Sequence, residues 1–159
     1  MATTSPDYAP RRADGYEIST DPSRLDLDVV HGFLRTAYWS KGIPRDTVER
    51  SIEHSIAFGV FAPAGEQVGF ARAVTDRTTY AWLGDVFVLE DHRGRGLGVW
   101  LVQCVLEHPD LRGLRRWALT TADAHALYTR FGFGPTSRPE VHLVIERTPE
   151  ELWPPERDA

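Results

Sequence analysis

Hydrophobic positions along the chain change period several times, and each change marks an element. YEIST (16–20) predicts a short first strand. Asp26 or Asp28 can cap a helix whose apolar stripe is Val30, Phe33, Leu34 and Ala37. After the KGIP break, Pro44 suits a first helical turn, and Val48, Ile52 and Ile56 mark one face of a second helix. AFGVFA (57–62) and QVGFARAVTD (67–76) flank PAGE and predict a hairpin. YAWLGDVFVL (80–89) carries apolar residues on both faces, the pattern of a central strand. Strict alternation there puts Asp85 on one face with Ala81, Leu83, Phe87 and Leu89.

Leu97, Trp100, Leu101, Cys104 and Val105 line one side of a helix ending near Glu107, with Val102 and Leu106 opposite. A helix apolar on two sides is largely buried. RRWALTT (115–121) predicts another strand, DAHALYTRFGF (123–133) a short helix running into a turn, and EVHLVIE (141–147) a last strand. The expectation is an α/β domain of α+β type over residues 15–148. A loose tail over 1–14 precedes it and a Pro-rich tail over 149–159 follows.

Composition narrows the function classes. The chain has 159 residues and a net charge of −5, which argues against bulk electrostatic binding to nucleic acid or anionic membrane. One cysteine excludes an internal disulfide and a cysteine-rich metal site. No apolar run reaches membrane-spanning length and the N-terminus has no hydrophobic signal core, so the expected location is cytoplasmic. The histidines show no metal-ligand spacing, and no metal is expected.

DHRGRGLG (91–98), between the central strand and the buried helix, is the stretch with chemistry in it. Glycine weakens a helix, so three of them at its start serve something other than helix formation. A helix N-terminus carries unpaired N–H donors and partial positive charge, glycines let an anion come close, and Arg93 and Arg95 add full charges. The stretch predicts a pyrophosphate cradle. Its G-x-G-x-G spacing at 94, 96 and 98 fits neither a dinucleotide fold nor a nucleoside triphosphate loop.

Arg93, Gly96 and Gly98, read as R-x-x-G-x-G, resemble the acetyl-CoA motif of the GNAT superfamily of N-acetyltransferases. VFVLEDH before it is similar to that family's central strand, and ALYTRFGF (126–133) to its second signature. The resemblance implies a GNAT fold with a mixed sheet of about six to seven strands flanked by about four helices. It implies acetyl-CoA as co-substrate, held by the amides of Arg93, Gly94, Arg95, Gly96, Leu97, Gly98 and Val99 and by the strand end at Val86, Phe87 and Val88. Thr121 stands where the family often has a pantetheine-binding asparagine. Tyr128 matches the general acid that protonates the leaving thiolate. The family's dimers imply a homodimer.

Amide formation also needs a neutral amine, and a lysine-like amine near pKa 10.4 costs roughly 4–5 kcal/mol to deprotonate at neutral pH. Asp85 is the candidate base, directly or through water. A structural aspartate satisfied by local hydrogen bonds is the alternative. Gly84 stands where many such strands carry a glutamate. Tyr38, Trp39 and Trp82 are candidates for contacting the acceptor, or for packing the surrounding elements. Cys104, on the buried stripe, is expected to be inert packing, which leaves direct transfer to a primary amine of a small molecule or peptide. The rival function is a non-catalytic acyl-CoA-binding module, which would keep the cradle without depending on Tyr128 or Asp85.

Overall fold

The computed structural model describes residues 8–156, so the expected tail over 1–14 falls outside it for residues 1–7 and the C-terminal tail for 157–159. Residues 8–14 are packed against the fold. The Tyr8 hydroxyl donates to the Cys104 carbonyl at 2.7 Å, and residues 10–12 run along the first strand through Ile18 N to Pro10 O and Arg12 N to Tyr16 O.

Strand β1 (Glu17–Ser19) is followed by helix α1 (Leu27–Leu34) and helix α2 (Arg45–Glu53). Asp26 caps α1 by accepting from Asp28 N and Val29 N. Pro44 stands just before α2 as its N-cap residue, and Ile56 belongs to the next strand. Strands β2 (Ile56–Phe61) and β3 (Gln67–Thr75) make the expected hairpin. The Asp76 carboxylate closes the turn into β4 (Tyr80–Val88) by accepting from the backbone N–H of Thr78, Thr79 and Tyr80. Helix α3 (Leu97–Glu107) crosses to β5 (Arg116–Ala118), and α4 (His125–Thr129) and α5 (Pro149–Leu152) complete the helices.

The five strands lie in the order β1-β2-β3-β4-β5, antiparallel except for the parallel β4–β5 pair. Two cores cover the two faces. Phe58, Val60, Leu83, Leu101 and Val105 pack under α3, while Val30, Leu34, Val48, Phe70 and Phe87 pack under α1 and α2. Burying each such side chain contributes about 1.5–3 kcal/mol, which fixes the helices to their faces.

Among the described residues the sheet has five strands against an expected six to seven, and five helices against about four. The strand expected over 141–147 has no partner in the sheet and all its residues are exposed. β5 is shorter than 115–121, because the chain after Ala118 leaves β4 to wall a cleft. Residues 149–152 form a turn of helix through a capping box between Thr148 and Glu151.

Candidate active site

The site begins with an irregularity in β4. Phe70 pairs with Phe87 and Arg72 with Gly84, so Asp85 and Val86 together face Ala71. This is a β-bulge, and Asp85 sits in it at φ 56°, a left-handed conformation uncommon outside glycine. The extra residue reverses the parity of the strand. Leu83 faces the α3 core, whereas Phe87 faces the α1–α2 core and Val86 and Val88 pack toward α3. Strict alternation therefore fails at this point, and Asp85 does not share a face with both Leu83 and Phe87.

The same irregularity opens the sheet. β4 pairs with β5 only through Tyr80, Ala81 and Trp82. Beyond Trp82 the two chains part, leaving a cleft of about 520 Å³. It is lined by Tyr38, Trp39, Arg72, Trp82, Asp85 and Tyr128, and by residues 83–86 and 120–124. That volume lies in the usual range for small-molecule sites, about 300–1,000 Å³. All three expected acceptor-contact residues and both expected catalytic residues are here, as is Thr121.

Tyr128 is buried on α4. Burial, with smaller contributions from Tyr38 and Asp123, pushes its phenol above the ordinary value, so it keeps its proton at neutral pH. Every fully buried side-chain polar atom among the described residues is hydrogen-bonded. The Tyr128 hydroxyl is bonded to none of them, so it meets the open cleft.

Asp85 is engaged on both oxygens. Arg72 Nε donates to Oδ2 at 3.0 Å and Trp39 Nε1 donates to Oδ1 at 3.0 Å. Arg72 Nη1 in turn donates to the Ser55 hydroxyl at 3.1 Å. Trp39 stands edge-on to Tyr38, centroids 5.0 Å apart, and the Tyr38 hydroxyl accepts from Ala122 N at 3.1 Å. This bond ties the α1–α2 loop across the cleft mouth. At Gly84, an added Cβ would lie 3.2 Å from Trp82 Nε1, so the indole fills the space beside this glycine. Thr121 Oγ1 accepts from Ala124 N at 3.0 Å, shaping the entry to α4.

A second cleft of about 320 Å³ follows the glycine stretch, lined by Val88, Arg93, Gly94, residues 96–99 and Leu127. Gly94 and Gly96 adopt φ 78° and 74°, which a Cβ would strain. Gly96 precedes α3 without any side-chain cap, leaving the first-turn amides unpaired by side chains. A Cβ added at Gly94 or Gly98 would meet nothing within 4 Å, so the protein keeps that space clear. These features fit a phosphate-bearing ligand such as the pyrophosphate of acetyl-CoA. Arg93 Nε donates to the Val88 carbonyl at 2.9 Å, pinning the turn to the strand end.

The Phe87 side chain stacks on Phe33 with ring centroids 4.0 Å apart, and the Arg95 side chain lines neither cleft. Leu97 sends its side chain into the core, leaving its amide for the cradle. Arg72, Asp123 and Leu127 were missed. Arg72 reads as an ordinary polar position on β3, and only cross-strand pairing with the bulge brings it to the site. Cys104 is buried and its thiol is pushed up to about 11, chiefly by desolvation, the inert state expected of packing. Among the described residues no cluster of three or more His, Cys, Asp or Glu is placed to hold a metal, and no helix is long and apolar enough to cross a membrane.

Comparison with known proteins agrees with this geometry. The pattern of the acetyltransferase (GNAT) family matches residues 27–133. A Gibberella zeae protein provisionally named an acetyltransferase is 32% identical over 135 residues, covering 71% of this chain and 75% of the relative. A GNAT-family crystal structure from Xanthomonas campestris is 47% identical, with a TM-score of 0.82, covering 84% of this chain and 94% of that one. A Clostridium acetobutylicum protein solved with acetyl-CoA shares the fold alone, at 10% identity and a TM-score of 0.59, over 82% of this chain and 94% of its own. With most of the chain inside the family's pattern, both signatures on the two clefts, and a half-identical solved relative, this protein belongs to the GNAT family of acetyltransferases, acyltransfer enzymes whose co-substrate is acetyl-CoA.

Proposed function

We propose that a single catalytic domain over residues 15–148 transfers acetyl directly from acetyl-CoA to a primary amine of a small molecule or peptide. The observation that carries this reading is the position of Tyr128. Its protonated, unpartnered hydroxyl meets an aromatic-lined cleft beside the bulged strand whose far end leads into the glycine cradle.

Acetyl-CoA supplies the thioester, and its departing sulfur leaves as a thiolate that needs a proton. The amides of Leu97, Gly98 and Val99 bind the pyrophosphate, and the parted edge of β4 at Val86 and Val88 aligns the rest of the co-substrate. Tyr128 holds the proton on its phenol oxygen and gives it to the leaving sulfur. Tyr38, Trp39 and Trp82 form apolar walls on which an amine-bearing acceptor packs, their π-faces favouring a cation on arrival. Asp85 acts as a positioning residue that holds Trp39 and Arg72, with deprotonation of the amine passing to water in the cleft. The inert state of Cys104 supports direct transfer over an acyl-enzyme.

The experiment is acetyl-CoA-dependent thiol release against polyamines, aminoglycosides, amino acids and lysine peptides, with Tyr128→Phe beside the native protein. Loss of a general acid lowers turnover by about 10²–10⁴. The expected result is a substrate turned over at least a hundredfold slower by Tyr128→Phe, with CoA affinity unchanged. Equal turnover by the two proteins refutes the assignment of Tyr128. CoA binding with no acetyl transfer to any amine supports the binding-module alternative.

A further inference from the structure

The glycine turn has a neighbour that lies outside the family's pattern over residues 27–133. The arm at residues 10–15 runs along β1 and reverses at Gly15, where φ is 93° and an added Cβ would come within 3.0 Å of Pro63. Gly15 N donates to the Arg12 carbonyl at 3.0 Å and Arg12 N to the Tyr16 carbonyl at 2.8 Å, which closes a tight turn. Arg11 fastens the arm to the sheet through its bridge to Glu17 and an ion pair with that residue at 3.0 Å. This turn delivers the Arg12 side chain to the start of α3.

The Arg12 guanidinium is held on three sides. Its carbon lies 5.8 Å from the Tyr16 ring centroid and 5.6 Å from that of Trp100, both within cation–π range. Nε donates to Asp14 Oδ1 at 3.1 Å and Nη2 to Asp14 Oδ2 at 2.6 Å, a two-pronged contact that fixes the plane of the group. Tyr16 is buried, and its hydroxyl is hydrogen-bonded with His92 Nδ1 at 2.8 Å, two residues before Gly94. Trp100 on α3 and Tyr16 tied to the turn therefore keep the guanidinium in register with the cradle. Little side-chain freedom remains to be lost when a ligand arrives.

Nη1 has no hydrogen-bond partner among the described residues. A Cβ placed on Gly96 would lie 3.9 Å from Nη1 and within 4 Å of no other atom. The arm's free donor and the first-turn amides of α3 thus meet at Gly96. Arg12 is not a lining residue of the second cleft but adjoins it there. The arginines inside the glycine stretch are placed otherwise, Arg93 giving its Nε to the Val88 carbonyl and Arg95 lining neither cleft.

We propose that Arg12 is a co-substrate-recognition residue, its Nη1 donating to a phosphate oxygen of acetyl-CoA across Gly96. The N-terminal arm is then part of the binding site, although it lies outside the family's pattern. Gly96 must lack a side chain for a second reason, since a substituent there would stand between the guanidinium and the anion. The inference rests on the cradle holding the pyrophosphate, as argued under the proposed function.

The test is calorimetry of CoA and of 3′-dephospho-CoA binding to the native protein, Arg12→Gln and Gly98→Ala over a range of salt. At low salt Arg12→Gln is expected to weaken CoA by about tenfold or more, the loss of a hydrogen bond to a charged group. That loss should shrink as salt rises, because it is ionic and partly exposed. Arg12→Lys, which keeps the charge and loses the fork to Asp14, is expected to bind between the two. An equal loss for 3′-dephospho-CoA assigns the contact to the pyrophosphate, and a loss confined to CoA assigns it to the 3′-phosphate. Native-like CoA affinity in Arg12→Gln, with weak binding by Gly98→Ala, overturns the role of Arg12 and leaves the cradle. Native-like affinity in both overturns the cradle with it. A loss of the same size at every salt concentration reports a distorted arm and overturns the proposal.

Discussion

Substitutions at Asp85 separate its backbone role from its charge, because each predicts a different magnitude. At φ 56° the residue is in the left-handed region. Aspartate, asparagine and glycine tolerate that region, whereas other L residues cost about 1–2 kcal/mol there. Its carboxylate also accepts from Arg72 and Trp39, both at 3.0 Å, and the ion pair is largely shielded, with side chains 19% and 11% exposed. A hydrogen bond to a charged group contributes about 1.5–3 kcal/mol. Asp85→Asn keeps the backbone preference and one acceptor, so the expected loss is about 1–2 kcal/mol. Asp85→Gly loses both acceptors without backbone strain. Asp85→Ala loses both and adds about 1 kcal/mol of strain, although alanine is the stiffer residue in the unfolded chain. For a chain of 159 residues each kcal/mol moves Tm by about 2–4 °C. The melting order is therefore native, Asn, Gly, Ala, with Ala about 2–4 °C below Gly. Thermal melts of the four proteins by circular dichroism read this directly. Ala melting at or above Gly refutes the left-handed bulge, and an Asn variant as stable as native refutes the ion pair. The pH dependence of kcat/KM for Asp85→Asn separates the two functional roles. A lower rate with the acidic limb in place is expected of a positioning residue, whereas disappearance of that limb would restore Asp85 as the base.

Gly98→Ala meets no atom of the protein within 4 Å and replaces a weak helix former, so Tm should hold or rise. CoA affinity, measured by calorimetry, should fall at least tenfold because the methyl group enters the cradle; unchanged affinity would place the pyrophosphate elsewhere. Cys104→Ala should keep kcat within twofold in the thiol-release assay, given a buried thiol pushed up to about 11. A collapse of turnover with native-like melting would revive an acyl-enzyme. Burial also holds the Tyr8 and Tyr128 phenols above their ordinary value. Protons held more tightly by the folded chain give stability that is complete below about pH 10 and lost as pH rises through the folded values. Tyr128→Phe should therefore flatten the decline of Tm above about pH 10, and an unaltered slope would show the phenol to be ordinary.

What the sequence disclosed was what local pattern controls. Asp26 as a cap, the PAGE hairpin, the two-sided helix after the glycines and the placement of Tyr128 on a short helix all depend on neighbours within one or two turns. The bulge does not. LGDVFV alternates well enough to read as a regular strand, and the parity reverses only because Arg72 pairs opposite Gly84 while Phe70 pairs opposite Phe87. That is a decision of two strands together, invisible in either alone. Arg72 was missed for the same reason. The segment 141–147 was legible as a strand but not as a strand without a neighbour, since alternation specifies a face and says nothing of whether a partner strand lies beside it.

The bulge also explains why a single residue insertion serves both halves of the site. Without it, β4 would continue beside β5 past Trp82, and the N–H and C=O groups of 83–88 would be spent on that neighbour. With it, the strand bends away, residues 120–124 form a separate wall, and the freed edge runs from the aromatic cleft to the glycine turn. The parity reversal sends Asp85 toward Arg72 and the α1–α2 loop while Val86 and Val88 face the α3 side. The left-handed backbone at Asp85 costs little because aspartate is among the few residues that accept it, and the carboxylate that makes it acceptable is the one that anchors Trp39. Gly84, beside it, leaves room for the Trp82 indole where a glutamate would have to displace it. At this point of the cleft the wall beside the bulge is therefore the Trp82 indole, and the carboxylate is that of Asp85.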